Sequence, residues 1–177
     1  MDDLPHLVGA RLRAARRERG LSLGALAAAA HVGKGSLSEI ENGTRNPTLG
    51  TLYALAGVLR LPLGSLLDER ADARISSPGV EARLLDVSHE SGRTVEVYRL
   101  RIEPGTVHQS VPHGPGVTEH LLVTAGRVRA GRPGEETEAG PGDTVSWVSD
   151  VPHSYAALGP AAVESVLVIR SPAAGTL

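Results

Sequence analysis

The chain has no cysteine and no phenylalanine, and only one tryptophan, one methionine and three tyrosines among 177 residues. Without cysteine there is no disulfide framework and no thiolate metal site. With aromatics so scarce, any core must be assembled from Leu, Val, Ile and Ala, which the 41% apolar content allows. No apolar run approaches the ~18 residues that a membrane-spanning helix needs. The opening MDDLPHLVG is acidic where a signal peptide would be basic and then apolar. These absences predict a cytoplasmic protein with no membrane partner, long enough for one large domain or two small ones.

Charge is unevenly spread. Residues 1–67 carry eight Lys and Arg against five acidic side chains, whereas residues 68–177 carry ten against fifteen. A basic module on an acidic body suits phosphate binding by the first part only.

Hydrophobic periodicity also divides the chain. From Leu4 to Arg19 the apolar residues Leu7, Val8, Leu12 and Ala15 recur at helical spacing, and Gly20 ends the run. Ser22 is a good cap for a second helix over 23–30. A third, about 34–42, stops at Asn42-Gly43. Thr48 caps a fourth from Leu49 to Leu59, and Pro62 opens a short fifth to about Leu67. Residues 68–79, ending in Ser-Ser-Pro-Gly, read as a linker. Beyond residue 80 short apolar runs appear at 83–87, 94–102, 119–124, 127–130, 144–148 and 163–169, separated by Gly, Pro and Asp. Short strands with turn signals between them predict a sandwich or barrel.

The stretch from Leu21 to Pro47, LSLGALAAAAHVGKGSLSEIENGTRNP, carries Ala27 where two helices must touch, Leu37 and Ile40 as one buried face, and Glu41-Asn42-Gly43 at the helix end. With Arg13, Arg16, Asn46-Pro47, Leu52 and Leu55 it resembles the phage-repressor-like (Xre-type) helix-turn-helix family, over roughly residues 7–67. The resemblance implies a five-helix lambda-repressor-like bundle over residues 1–67, with the third helix in the major groove of operator DNA. The residues assigned to DNA contact are Arg13, Ser22, Lys34, Gly35, Ser36, Ser38, Glu39, Asn42 and Arg45. Lys34 suits guanine, Ser36 either kind of base edge, and Glu39 the cytosine amino group. Arg13 and Arg45 suit phosphates. Arg16 and Glu41 are implied to form a structural ion pair tying the first helix to the third. Leu23 stands where the family usually has Gln, His31 where it has Gly, and Gly33 where it has a Ser or Thr cap. The position of His31 calls for positive φ, which His tolerates better than most residues.

Farther on, Gly105, His113, Glu119 and Gly126, followed by Gly140-Pro141-Gly142-Asp143 and Pro152-His153, resemble the small single-domain cupins. That resemblance implies a double-stranded β-helix, or jelly-roll barrel, over residues 80–177, and hence a multidomain α + β chain. It implies His113, Glu119 and His153 as an effector or metal site. Two imidazoles and one carboxylate suit Zn, Fe, Mn or Ni. Pro115 stands where a second His of the first motif would be, and His120 cannot replace it, because strand alternation points His120 away if Glu119 points in. Trp147 and Tyr155 read as wall packing, with the border of an effector site as the alternative for either. The whole predicts a homodimeric transcription regulator that binds operator DNA and senses a small-molecule effector or metal, and not an enzyme. The alternative is a metal-dependent cupin enzyme, dioxygenase- or isomerase-like, fused to a DNA-binding domain.

Overall fold

A computed structural model describes residues 4–67, 74–90 and 92–172. Four α-helices come first: α1 (Leu4–Glu18), α2 (Leu23–Ala29), α3 (Lys34–Glu41) and α4 (Leu49–Leu59). Ten strands follow: β1 (Arg74–Ser77), β2 (Val80–Glu90), β3 (Arg93–Ile102), β4 (Val107–Ser110), β5 (Thr118–Ala125), β6 (Arg127–Gly131), β7 (Thr137–Ala139), β8 (Thr144–Val148), β9 (His153–Leu158) and β10 (Val163–Pro172). Among the described residues no helix is long and apolar enough to cross a membrane.

The helix starts follow the capping logic of the sequence. The Ser22 and Thr48 side chains accept backbone N–H bonds from Ala25 and Thr51, whereas Gly33 offers α3 no such cap. His31 takes φ 53°, the left-handed conformation its position calls for. Gly9 lets α1 approach the end of α3, since a Cβ there would fall 2.3 Å from the Ile40 carbonyl oxygen. Leu12, Ala15, Leu26, Ala27, Leu37, Ile40, Leu55 and Leu59 share one buried cluster.

The expected fifth helix is a correction. The helical bundle has four α-helices, and Leu63–Ser65 form a single 3-10 turn. The Gly64 N–H donates to the Glu96 carboxylate on β3, so this short segment is fastened to the sheet and does not continue as a helix.

The strands form two sheets, β1-β2-β3-β10-β5-β8 and β4-β9-β6-β7, whose inward side chains share one core. The two sheets make a β-rich unit, but no closed barrel forms among the described residues. The second sheet begins and ends on β4 and β7, four and three residues long, and no ladder joins either to the six-stranded sheet. Within the stretch read as linker, Arg74–Ser77 pairs with β2 as strand β1, Ile75 packing inward. Residues 68–73 of that stretch lie outside the described residues.

The core of the sheets also takes in Val8, Leu49, Leu52, Tyr53, Leu63 and Leu67 from the helical half. The two halves therefore share a continuous apolar interior, in which α4 lies against the sheets.

Candidate functional site

Two constellations carry chemistry. The first is the outer face of α3. Leu37 and Ile40 are buried, while Lys34, Gly35 and Glu39 are exposed and Ser36 and Ser38 half-exposed. Arg45 reaches back to this face, its Nη1 lying 3.2 Å from both Ser36 Oγ and Glu39 Oε2. Ser36, Glu39 and Arg45 thus form one exposed polar group beside Lys34.

The inner side of α3 is anchored by charge. Arg16 meets Glu41 through Nε and Nη2 at 2.6 and 2.8 Å, and its Nη1 donates to the Leu21 carbonyl. Glu41 is 5% exposed, and this contact raises the pKa of Arg16 against the opposing effect of burial. Arg13 donates to the Glu41 carbonyl at 2.9 Å and to the Asn42 side chain. Arg13 and Asn42 therefore close the C-terminal end of α3, where its last carbonyls would otherwise lack partners. Ser22 sits at the start of α2 as its cap.

The second constellation lies between the sheets. On β9 the alternation places His153 and Tyr155 on one face, opposite Ser110 and His108 of β4. On β5 the inward residue is Glu119, opposite Trp147 of β8. His113 enters from the loop after β4, which is held by its backbone N–H on the Ser149 carbonyl. Glu119 and His153 are wholly buried. His113 Nδ1 and His153 Nε2 lie 2.8 and 3.1 Å from the same oxygen, Glu119 Oε1.

Hydrogen bonding explains why three polar atoms face one point. His153 Nδ1 lies 3.0 Å from the Val151 carbonyl, and a carbonyl only accepts, so Nδ1 carries the proton. In the neutral ring Nε2 is then a lone pair aimed at the Glu119 carboxylate. His113 is turned similarly, its Nε2 on Ser110 Oγ at 3.1 Å and its Nδ1 inward. His113 Nδ1, His153 Nε2 and Glu119 Oε1 have no hydrogen-bond partner outside this trio. Lone pairs facing a carboxylate repel unless a proton or cation lies between them. Donor atoms about 2.1 Å from a common ion stand roughly 3–4 Å apart, and these three lie within 4.8 Å of one another. The donor set fits a first-row divalent metal.

Without an ion, a proton between these groups serves the same end. Burial drives Glu119 upward, but His113 and His153 hold it well below the usual carboxylate range. Burial lowers His153, and the close Glu119 carboxylate more than offsets it, leaving a net upward shift. His108, half-buried, is pushed down by burial and then by the two neighbouring histidines. His120 lies beside Glu119 on β5 but outside this cluster.

Sequence reasoning brought His113, Glu119 and His153 together but missed their surroundings. Tyr155, read as wall packing, donates its hydroxyl to Glu119 Oε2. The Trp147 ring lies 5.7 Å from His153, and its indole N–H is buried without an acceptor. Tyr53 on α4 stacks on His113 with ring centres 3.7 Å apart and planes 11° apart. All three tyrosines of the chain line one small cavity with His108 and Ser110. The available signal was the scarcity of aromatics, together with the two-residue spacing of His153 and Tyr155.

Residues 12–66 match the helix-turn-helix family. The HTH-type transcriptional regulator SutR of Escherichia coli K12 is 28% identical over 159 residues, covering 88% of this chain and 89% of that protein. The uncharacterized HTH-type transcriptional regulator y4dJ of Sinorhizobium fredii is 40% identical over 70 residues, 38% of this chain and 91% of that protein. The crystal structure of an HTH_3 family transcriptional regulator from Vibrio cholerae superposes with a TM-score of 0.80, at 24% identity, over 95% of this chain and 96% of that one, a shared fold through both halves. With its capped helices, buried α3 seam and β-rich second half, the chain belongs to the helix-turn-helix family of transcriptional regulators.

Proposed function

We propose that this regulator reads operator DNA with the exposed face of α3 and senses an effector or a metal at His113, Glu119 and His153. The observation that carries the DNA reading is the two-sidedness of α3. One side is locked by Leu37, Ile40 and the Arg16–Glu41 fork, and the other presents Lys34, Ser36, Ser38 and Glu39 to the outside. A helix of this kind fits the major groove, and residues near its N-terminus reach base edges. Gly35 keeps that end of the helix slim, so readout rests on few side chains. Arg45, Arg13, Asn42 and the capped start of α2 at Ser22 lie where backbone contacts would be made. Two chains paired as a homodimer would set two such helices about one DNA turn, roughly 34 Å, apart.

In the sensing site, His113, Glu119 and His153 would hold the metal, leaving positions open for an oxygen-bearing effector. Bound there, the ion would supply a Lewis acid. The unpaired Trp147 indole N–H is a donor for an effector oxygen. In this reading the chain is a cytoplasmic regulator of three units, residues 1–67, a connection at 68–79 and residues 80–177, and not an enzyme.

A mobility-shift titration on DNA upstream of the chain's own and neighbouring genes tests the DNA reading. Binding with operator preference is expected for the wild type, and loss of that preference for Lys34→Ala with Ser36→Ala. Absence of any binding at low salt would overturn it.

A further inference from the structure

The wall that closes the polar site does not come from the sheets. Tyr53 belongs to α4, in the DNA-binding half, yet its ring lies flat on His113. Leu49, one turn earlier on the same helix, and Tyr53 itself line the small cavity that adjoins this site, together with His108, Ser110 and Tyr155. The α4 backbone also runs close to the loop that carries His113, so that a Cβ at Gly57 would lie 3.6 Å from the Pro112 carbonyl oxygen. The other walls are rungs of sheet, Ala82, Tyr98, Leu100, Tyr155 and Leu167 among them.

The cavity enclosed in this way has a volume of about 10 Å³. That is room for about one water molecule. An organic molecule enters only if a wall moves. The sheet walls are held by hydrogen-bonded ladders, β10 pairing with β3 over ten residues without a break and with β5 through one register shift at Glu164/Ser165. α4 is held to the site by side-chain packing and anchored just beyond its end by the Gly64–Glu96 bond, and Tyr53 stacks on a face of His113.

We propose that the effector is a small ring-bearing molecule that takes the seat of Tyr53 on His113, so that α4 is the lid of the site and occupancy displaces it. The inference rests on the effector-site reading above and adds the class of ligand and the way its binding is transmitted. Tyr53 is an internal stand-in for that ligand. The polar groups that line the cavity beside its seat, Ser110, His108 and Tyr155, favour a ring bearing a hydroxyl or other donor. Transmission follows from packing. Leu55 and Leu59 of α4 share a core with Leu26 of α2 and Leu37 and Ile40 of α3, so α4 carries the recognition helix when it moves. A ligand that binds only the undocked state shifts the equilibrium toward it, and by linkage DNA that prefers one arrangement alters ligand affinity equally.

The test uses the full chain, which has no cysteine of its own to compete for labels. Nitroxides at Glu18→Cys on α1 and Ser146→Cys on β8 report the distance between the halves, with labelled chains diluted into unlabelled protein. The probe ligand is p-cresol, the side chain of tyrosine. One narrow distance is expected without probe, and a broadened, longer distribution at saturating p-cresol. Tyr53→Ala should bind p-cresol at least tenfold more tightly than the wild type and show the broad distribution without it. Tyr53→Phe, which keeps the ring, should behave as the wild type, and Tyr53→Leu replaces Tyr53→Ala should the latter not fold. Equal p-cresol affinity in wild type and Tyr53→Ala, or a narrow distance that persists at saturation, would overturn the lid. Zinc titration of the same samples separates the two claims. Zinc binding that survives with no response to p-cresol sinks the lid alone, whereas lid motion without zinc binding sinks the metal reading and leaves the lid standing.

Discussion

Arg16 and Glu41, twenty-five residues apart, meet through two hydrogen bonds of 2.6 and 2.8 Å, and Glu41 is almost wholly buried where they do so. This fork sets the tilt of α3 on α1. A buried carboxylate that loses its cation costs more than a surface pair would yield, on the order of 3 kcal/mol. Arg13 Nε, 3.4 Å from Glu41 Oε2, stays beside the carboxylate, so Arg16→Ala is expected to destabilise the chain by less than that but by more than about 1 kcal/mol, measured by urea denaturation. A change within about 0.5 kcal/mol would mean that the fork is solvated and contributes little.

The α3 face separates base reading from phosphate attraction. Lys34→Ala with Ser36→Ala is expected to reduce the preference for operator over unrelated DNA by about 1–3 kcal/mol for each well-formed hydrogen-bonding pair with a base edge that the substitutions remove. Arg45→Ala, if Arg45 serves a phosphate, weakens binding to both DNAs alike and lowers the slope of log K against log salt by about one unit. Fluorescence anisotropy at several salt concentrations gives both quantities. An unchanged slope for Arg45→Ala would return this residue to the local bonds it makes with Ser36 and Glu39.

Zinc affinity is expected to rise with pH across the histidine range, because His153 must lose a proton that Glu119 helps it keep. Glu119 is held low and ionised, and contributes no pH dependence there. In metal-free protein the sign is opposite. A histidine whose pKa is raised on folding stabilises below its unfolded pKa, near 6.5, and that stability is lost as pH rises through the folded value. Zinc at a hundred times its Kd should raise stability by about 2.7 kcal/mol, and a chelator should remove that gain. Trp147, the single tryptophan and a neighbour of His153, is the reporter for the titration. Glu119→Gln should abolish the response, and an unchanged response would place the metal elsewhere.

Glu96 gives a second pH signature. Burial pushes its carboxyl up to about 7, against the lowering by the Gly64 N–H, the Tyr98 hydroxyl and the nearby charge of His89, while Glu119 adds to the rise. The folded chain therefore binds more protons than the unfolded chain between about 4.5 and 7. Stability contributed at Glu96 falls as pH rises through this window, by about 3 kcal/mol at most. Glu96→Gln, neutral at every pH, should flatten this part of the curve in thermal melts at pH 5, 6, 7 and 8. An equal slope in the variant would assign the dependence to other groups, His153 first among them.

The helices were legible because their signals are local. Ser22 and Thr48 cap, Gly20 and Asn42-Gly43 stop, and Leu37 and Ile40 repeat at helical spacing. The long strands β2, β3, β5 and β10 were legible from apolar runs. The strands β1, β4 and β7 were not, because each is short and mixes Arg, His, Gln, Ser, Thr or Glu with one apolar residue, and β9 was not, because its run Tyr-Ala-Ala-Leu has no β-branched residue. Their strand character comes from pairing partners distant in sequence, such as Ser110 with His153. Of the buried polar site, the three ligand-type side chains were legible through the resemblance of their motifs to those of cupins. Tyr53 was not, because nothing local marks it on α4 and it meets His113 sixty residues away only through the docking of one half on the other.

That docking limits how freely the two halves can be exchanged. A chimera that places this DNA-reading unit on another sensor would leave Leu49, Leu52, Tyr53 and Leu63 without the sheet they now cover. Such a graft must rewrite the outer side of α4 as polar or import a sensor with a matching seat. In this chain the junction between modules is not the connecting segment but a set of side chains on a helix, so modular redesign has to be planned residue by residue along α4.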